Sequence, residues 1–586
     1  MSTFNLKNKQ FNIWDLIILV LAFSILAALC WAAEQMSLPY QLGKTLPIDL
    51  NPWVLPFYGL RTITRMFIAL AFSLIFSLLI GLLAAKYRKL ENFILSSIDI
   101  LQSIPILGIQ SMTLVGFISL FENSLLGPEC AAIFAIFTSQ VWNMALSFYQ
   151  SIKTLPEPWR DVAQMFHLSA WQRFWKIEVP HAVPGLVWNA MVSMSAGWFF
   201  VVAAEAIAVS NQKITLPGIG SYIHLAIEQS NLQAIAYAAF ALLFIIFLYD
   251  QLFFRPLLAW SEKFLVDADP YRINHSSWLY DILNKTLWIK NKISPKISGF
   301  KDYFIHNLFK GLFNNFEKLQ FNSAFKFRFK IPHREVLLYS LLALGLSYWI
   351  FHWLNIFYRD HKDYLNFVPE IYLVLELGAI TCIKVIILVL LASVLWVPIG
   401  VWIGFRPQWA KIALPLAQFL AAFPANLLWP LFFFLIAKHG LSIDIFSSPL
   451  MIIGNQWYIL FNVISGTLMI PKELKTACES FKIKGFLAWR KLILPAIFPS
   501  YITGAMAAAG GCWNAAIVAD VLTWGDQTLV AKGLGAYIVS NTNAGDFPRI
   551  VLGLSVMCLY VVIMNRLIWQ KCYNLAAERF SIDRYS

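Results

Sequence analysis

Asp161 to Pro180 reads DVAQMFHLSAWQRFWKIEVP, and 315 residues on, Thr476 to Pro495 reads TACESFKIKGFLAWRKLILP. Each is a short polar and basic segment set between long apolar runs. At that offset Pro156, Phe166, Lys176, Pro180, Pro184, Trp198, Gly218, Gly220 and Tyr222 fall on Pro471, Phe481, Lys491, Pro495, Pro499, Trp513, Gly533, Gly535 and Tyr537. Glu205 falls on Asp520. Prolines, tryptophans and glycines are scarce enough that an ungapped match of this length marks an internal duplication. Upstream the offset is 319, which sets Arg65, Gly81 and Pro105 on Lys384, Gly400 and Pro424. Four residues are therefore missing from the second copy, between its third apolar run and the TACES segment.

Outward from these segments the chain is apolar. Of 586 residues 59% are hydrophobic and 13% charged, about half the charged share of an ordinary soluble domain. Repeated runs of about 20 apolar residues read as membrane-spanning helices. In the first half they fall near 14–33, 62–85, 94–120, 130–151, 184–209 and 232–254. In the second they fall near 336–356, 372–404, 412–437, 447–469, 496–521 and 547–569. The first is long enough to span and reads as retained, not as a cleaved signal. The fold class is an all-α membrane protein, with about twelve transmembrane helices in two six-helix repeats of parallel topology. Six is an even number, so both repeated loops emerge on one side, and a pseudo-twofold axis along the membrane normal should relate the halves.

The net charge of +13 does not point to nucleic acid. Lys and Arg outnumber Asp and Glu two to one between Arg255 and Glu335, as expected of a large cytoplasmic segment under the positive-inside rule. Lys7 and Lys9, then Lys86, Arg88 and Lys89, then Lys153, Arg160, Arg173 and Lys176 mark the other inner turns. Both termini are thus placed in the cytoplasm, and the domains read as 1–255, a basic linker 256–333, and 334–586. The linker's WLYDILNKTLWIKN and FIHNLFKGLFNNF carry spaced aromatic and basic residues. They fit amphipathic helices on lipid or a partly ordered tether.

Chemistry-bearing patterns are sparse. LGKT at 42–45 lacks a P-loop, since the first glycine of GxxxxGK[ST] falls on Leu38. Seven scattered cysteines show no metal-ligand or redox spacing. No catalytic constellation stands out, so an enzyme is not expected and no metal is called. Glu205 and Asp520 lie in the fifth run of each half, seven residues after Trp198 and Trp513. An intramembrane carboxylate faces a cavity or a polar partner. Two readings are open: the two acids and two tryptophans flank a pathway, or the acids tie helices together. The paired glycines of LPGIGSYI (Gly218, Gly220) and AKGLGAYI (Gly533, Gly535) permit tight turns and close backbone approach.

The DVAQMFH and TACESFK segments, with EVP and LILP at their ends, resemble the EAA loop of permease subunits in ATP-binding-cassette importers. That pattern is EAA, three residues, glycine, then a hydrophobic and basic run ending in LP. Asp161, Ala163, Phe166, Leu168, Lys176 and Pro180 fall in it, as do Thr476, Ala477, Phe481, Ile483, Lys491 and Pro495. The glycine position holds His167 in one copy and Lys482 in the other, which a left-handed turn would tolerate only at a cost. WNAAIVAD with GLGAYI most resembles the permeases of nitrate, sulfonate, taurine and bicarbonate importers.

The resemblance implies a fused two-domain permease in a bacterial inner membrane. It implies two copies of a cytoplasmic ATPase that hold the ATP, docked on the two loops. It further implies an extracytoplasmic solute-binding protein, which the glycine-bearing segments are placed to meet. The rival reading is a self-contained, ion-coupled secondary transporter or channel, favoured by the intramembrane acids and opposed by the loops.

Overall fold

The structure, a computed structural model, describes residues 13–40, 46–103, 106–121, 123–209, 212–264, 277–285, 367–483 and 485–579. The second half's first expected span (336–356), most of the linker, Lys7, Lys9, Pro105 and LGKT lie outside these residues. Two compact units divide the chain: Met1–Leu155 with Pro180–Leu287 and Leu377–Ser586, and Pro156–Val179 with Trp288–Glu376. The first unit contains most of the spanning helices of both repeats, and the first repeated loop falls in the second unit.

Among the described residues seven helices are long and apolar enough to cross a membrane. They include Pro52–Lys86, Leu126–Lys153 and Leu232–Phe264 in the first copy, and Pro369–Gly404, Phe486–Ala519 and Phe547–Cys572 in the second. The third span of each copy departs from expectation, because it is two helices and not one. The breaks separate Arg88–Ser103 from Ile106–Leu120, and Pro407–Ala422 from Trp429–His439. In the second copy the cause is visible. Pro424 has no N–H to donate and forces Phe423 before it into extended backbone (ψ 120°). The fifth span is also shorter than read. Val179–Ala204 ends just before Glu205, and an antiparallel hairpin comes next, pairing Ala206–Val209 with Gln212–Thr215. Its counterpart pairs Val521–Trp524 with Gln527–Val530.

Small residues let the helices approach. Along Leu55–Lys86, Ala69, Ser73, Ser77 and Gly81 recur every four residues and face Leu126–Lys153. Ser73 and Ser77 Oγ donate to the Phe137 and Val141 carbonyls (3.4 and 3.1 Å). A methyl group at Gly81 would crowd Phe148 and the Ala145 carbonyl. Such seams suit a bilayer, where dispersion and polar contacts, not water exclusion, bind helix to helix.

The halves trade contacts reciprocally. The helix Phe547–Met564 packs on Arg88–Ser103, and Leu232–Tyr249 packs on Pro407–Ala422. Likewise Ile219–Glu228 meets the second hairpin, and Leu534–Ala544 meets the first. Contacts of this reciprocal kind are what a twofold relation between copies produces.

Candidate functional site

In the first repeated loop, Glu157–Met165 forms a short helix entered through Pro156 and Pro158. Its end is a Schellman turn. The Leu168 N–H donates to the Ala163 carbonyl (3.0 Å), the His167 N–H donates to Gln164 (3.0 Å), and His167 is left-handed (φ 47°). Ser169 and Gln172 then form a reciprocal capping box that starts Ala170–Arg173. The second loop repeats the turn. Ile483 N–H donates to Cys478 O (2.8 Å), and Lys482 adopts φ 54°. The left-handed glycine position of the family pattern is therefore kept in backbone geometry although neither copy has glycine. Replacing His167 by glycine is expected to stabilise the loop by up to about 1 kcal/mol. Replacement by valine, stiff at Cβ, is expected to open it. Hydrogen exchange over residues 157–178 reads both.

Beyond each turn lies one π-helical turn, Phe174–Glu178 and Trp489–Ile493, leading into the fifth span. Pro180 and Pro495, one residue past each spanning helix's start, cannot donate the usual bond, and the wider turn absorbs the missing donor. Asp161, His167, Lys176, Thr476, Lys482 and Lys491 are exposed, Ala163 is buried, and Ala477, Leu168, Ile483, Pro180 and Pro495 are half-buried. Phe166 and Phe481 stand out, 74% and 77% exposed at the apex of each turn.

Glu205 is fully buried and so is Arg65. Arg65 Nη1 donates to Glu205 Oε1 (2.6 Å), while Nε and Nη2 form a two-pronged pair with Glu129 (2.6 and 2.7 Å). Thr62 Oγ1 donates to Glu205 Oε1 (2.6 Å), and the Gly220 N–H donates to Glu205 Oε2 (2.6 Å). Glu205 thus caps the N-terminus of Ile219–Glu228, where the helix dipole favours an anion. This closeness explains the glycines. A methyl group at Gly218 would overlap the Glu205 carboxylate, and one at Gly220 the Val202 carbonyl.

The second copy builds a lighter version. Lys384 Nζ reaches Asp520 Oδ1 (3.4 Å) and the Lys532 carbonyl (2.9 Å), as Arg65 reaches the Pro217 carbonyl (3.0 Å). Leu534 N–H donates to Thr381 Oγ1 (2.9 Å), matching Ile219 N–H to Thr62 Oγ1 (3.2 Å). Gly533 and Gly535 leave room for Asp520 and the Ala516 carbonyl. Asp444, 315 residues after Glu129, accepts from the Lys532 N–H (2.6 Å). Through these bonds Glu205 and Asp520 each join separate elements of their own copy.

Neither acid lines the main cavity, a space of about 330 Å³ lined by both halves. Trp513 lines it, whereas Trp198 lines a separate space of about 30 Å³ and packs edge-on against Tyr249. Across the main cavity Trp188 of the first copy stacks on Phe461 of the second, centroids 5.4 Å apart. Asn514 Oδ1 accepts the first N–H of Ile106–Leu120 (2.8 Å), so the second copy caps a helix of the first. The sequence reading missed Glu129, Asp444 and the cavity's asparagines. An arginine at 65 inside an apolar run was the available signal for the first.

Residues 77–254 and 396–568 match the family described as the binding-protein-dependent transport system inner membrane component. Together they make up more than half the chain. The chain belongs to that family, with two copies of its domain in one polypeptide.

Among similar proteins, a bicarbonate transport system permease protein of Synechocystis is 29% identical over 110 residues, covering 19% of this chain and 38% of that protein. A nitrate import permease of the same organism is 24% identical over 236 residues, covering 39% of this chain and 79% of its own length. A putative ABC transporter permease of Methanocaldococcus jannaschii is 29% identical over 165 residues, 28% of this chain and 60% of that protein. The chain thus spans well under half of the first of these relatives and most of the second. It is a membrane component with two family domains, and its loops and buried clamps recur in both.

Proposed function

We propose that this chain is the permease subunit of an ATP-driven importer, and that its two halves, 1–255 and 334–586, line one pathway for a small solute. A cytoplasmic linker, 256–333, joins them in the inner membrane. The chain carries no nucleotide site of its own. Two copies of a separate ATPase bind the ATP and dock on the loops around Phe166 and Phe481, and an extracytoplasmic binding protein delivers the solute on the other face.

One observation carries the reading. Two equivalent loops present an exposed phenylalanine at a left-handed turn, each leading directly into a spanning helix. A bare aromatic tip on a rigid turn is costly in water and fits a partner's groove. Closure of paired ATPases would move both loops and, through them, both fifth spans. The names of the relatives point to nitrate and bicarbonate as first solutes to try.

Co-expression with the ATP-binding subunits encoded beside it tests this. The wild-type chain is expected to retain an ATPase through purification, and a Phe166→Asp/Phe481→Asp double variant to lose it at unchanged expression. If no ATPase is retained by the wild type, and the chain alone moves solute down an ion gradient, the secondary-transporter reading takes its place.

A further inference from the structure

A second cavity, of about 270 Å³, is also lined by both halves. The two cavities share the fifth spans as walls. Residues between Trp188 and Phe200, and between Thr503 and Ala515, line the main one. Further along the same helices Val202, Ala203, Ile517 and Val518 line the second, beside Ala206 and Val521 of the hairpins. Val202 with Ile517 and Ile223 with Ile538 are equivalent pairs, so this cavity straddles the relation between the copies. No described residue lines both spaces.

Between them stands the start of the helix Ile106–Leu120. Ile106 lines the main cavity, whereas the next residue, Leu107, lines the second. This helix end is seated on the other copy. A methyl group at Gly108 would overlap Leu554. Asn514 Nδ2 donates to the Gly510 carbonyl of its own helix (3.2 Å), which leaves Oδ1 to accept the Ile106 N–H (2.8 Å). The first N–H of a helix has no partner inside it, and Asn514 supplies one. The equivalent of Asn514 in the first copy is Phe199, whose ring offers no such acceptor.

We propose that the two cavities are compartments of one pathway, and that Asn514 latches the gate between them. The latch is one-sided, because Phe199 cannot return the bond. Asn514 sits on Leu494–Ala519, the helix that the second repeated loop leads into, so motion of that loop bears on the latch directly. Release of the Ile106 N–H frees the helix end to withdraw and join the two spaces. This rests on the permease reading and names the residue that holds its pathway shut.

Right-side-out and inverted membrane vesicles holding the full chain, with no ATPase, test it. The probe is the membrane-impermeant thiol reagent trimethylammonioethyl methanethiosulfonate. Ala507→Cys reports the main cavity and Ala203→Cys the second. Site-resolved mass spectrometry reads each labelling rate with native cysteines in place. With Asn514 intact, each cysteine is expected to react from one face only, and the two from opposite faces.

Asn514→Leu keeps the side chain's shape without its acceptor, and should let the reagent reach both cysteines from one face. The rate from the closed side should rise about tenfold, the shift that loss of one hydrogen bond gives. Ile106→Pro removes the donor instead, at a first helical position that tolerates proline, and should do the same. Asn514→Asp keeps an acceptor at the helix N-terminus and should stay closed. Labelling of both cysteines from the same face with Asn514 intact, or of neither from any face, overturns the proposal. So does an unchanged pattern in both Asn514→Leu and Ile106→Pro, or an Asn514→Asp variant as open as Asn514→Leu. ATPase retention by the same chain is scored separately, so loss of the importer reading and loss of this one are distinguishable.

Discussion

Replacing Arg65 by leucine is expected to cost roughly 3–5 kcal/mol, because it takes the nearest cation from two buried carboxylates at once and leaves Glu129 only Arg61 at 3.8 Å. Glu129 and Glu205 both lean on that one guanidinium at 2.6 Å, and Glu205 also holds the start of Ile219–Glu228. The variant should fail to accumulate as folded protein, read by size-exclusion profile and thermal unfolding in detergent. Adding Glu129→Gln and Glu205→Gln should recover much of the loss, since neutral amides no longer need the cation. Lys384→Met in the second copy should cost clearly less. Lys384 keeps 12% of its side chain exposed and meets one acid at 3.4 Å, so less is desolvated and less is lost. Equal costs at the two sites would contradict this account of the clamps.

Alanine at Gly220 or Gly535 carries the next largest effect, about 1–3 kcal/mol each, from overpacking against backbone. The added methyl would overlap the Val202 carbonyl in one copy and the Ala516 carbonyl in the other. Neither atom is the end of a flexible side chain, so the helix Ile219–Glu228 or Leu534–Ala544 must slide off its clamp. Serine at the same positions should do no better. Thermal unfolding of the two single variants reads the cost. A stability equal to wild type would mean that the close approach is not needed.

Much of the architecture was legible because membrane spans and repeats leave strong marks in sequence. Pro180 with Pro495 and Trp198 with Trp513 were enough to find the duplication. The breaks in the third spans were not, since a run such as 412–437 carries no charge, and its three prolines, Pro415, Pro424 and Pro430, do not say which one ends a helix. The turn at His167 and Lys482 could be located but not shaped. In each copy the 6→1 hydrogen bond holds the left-handed backbone and compensates for the missing glycine.

Glu205 was found by its cost in a membrane, yet its partner was not. Arg65 lies 140 residues away, and nothing local ties the two together. The cavity was the least legible part. Its asparagines sit in apolar helices where the back-bond to the i−4 carbonyl makes them look structural. Only the fold brings them to a common space.

The most direct measurement of the central claim is cross-linking from each loop in native membranes. Phe166→Cys and Phe481→Cys, made singly, would carry a thiol-linked photoreactive group beside co-expressed ATP-binding subunits. The account predicts one ATPase-sized adduct from each position, and from the double variant a product carrying two. Efficient labelling of both cysteines with no ATPase adduct from either would contradict it.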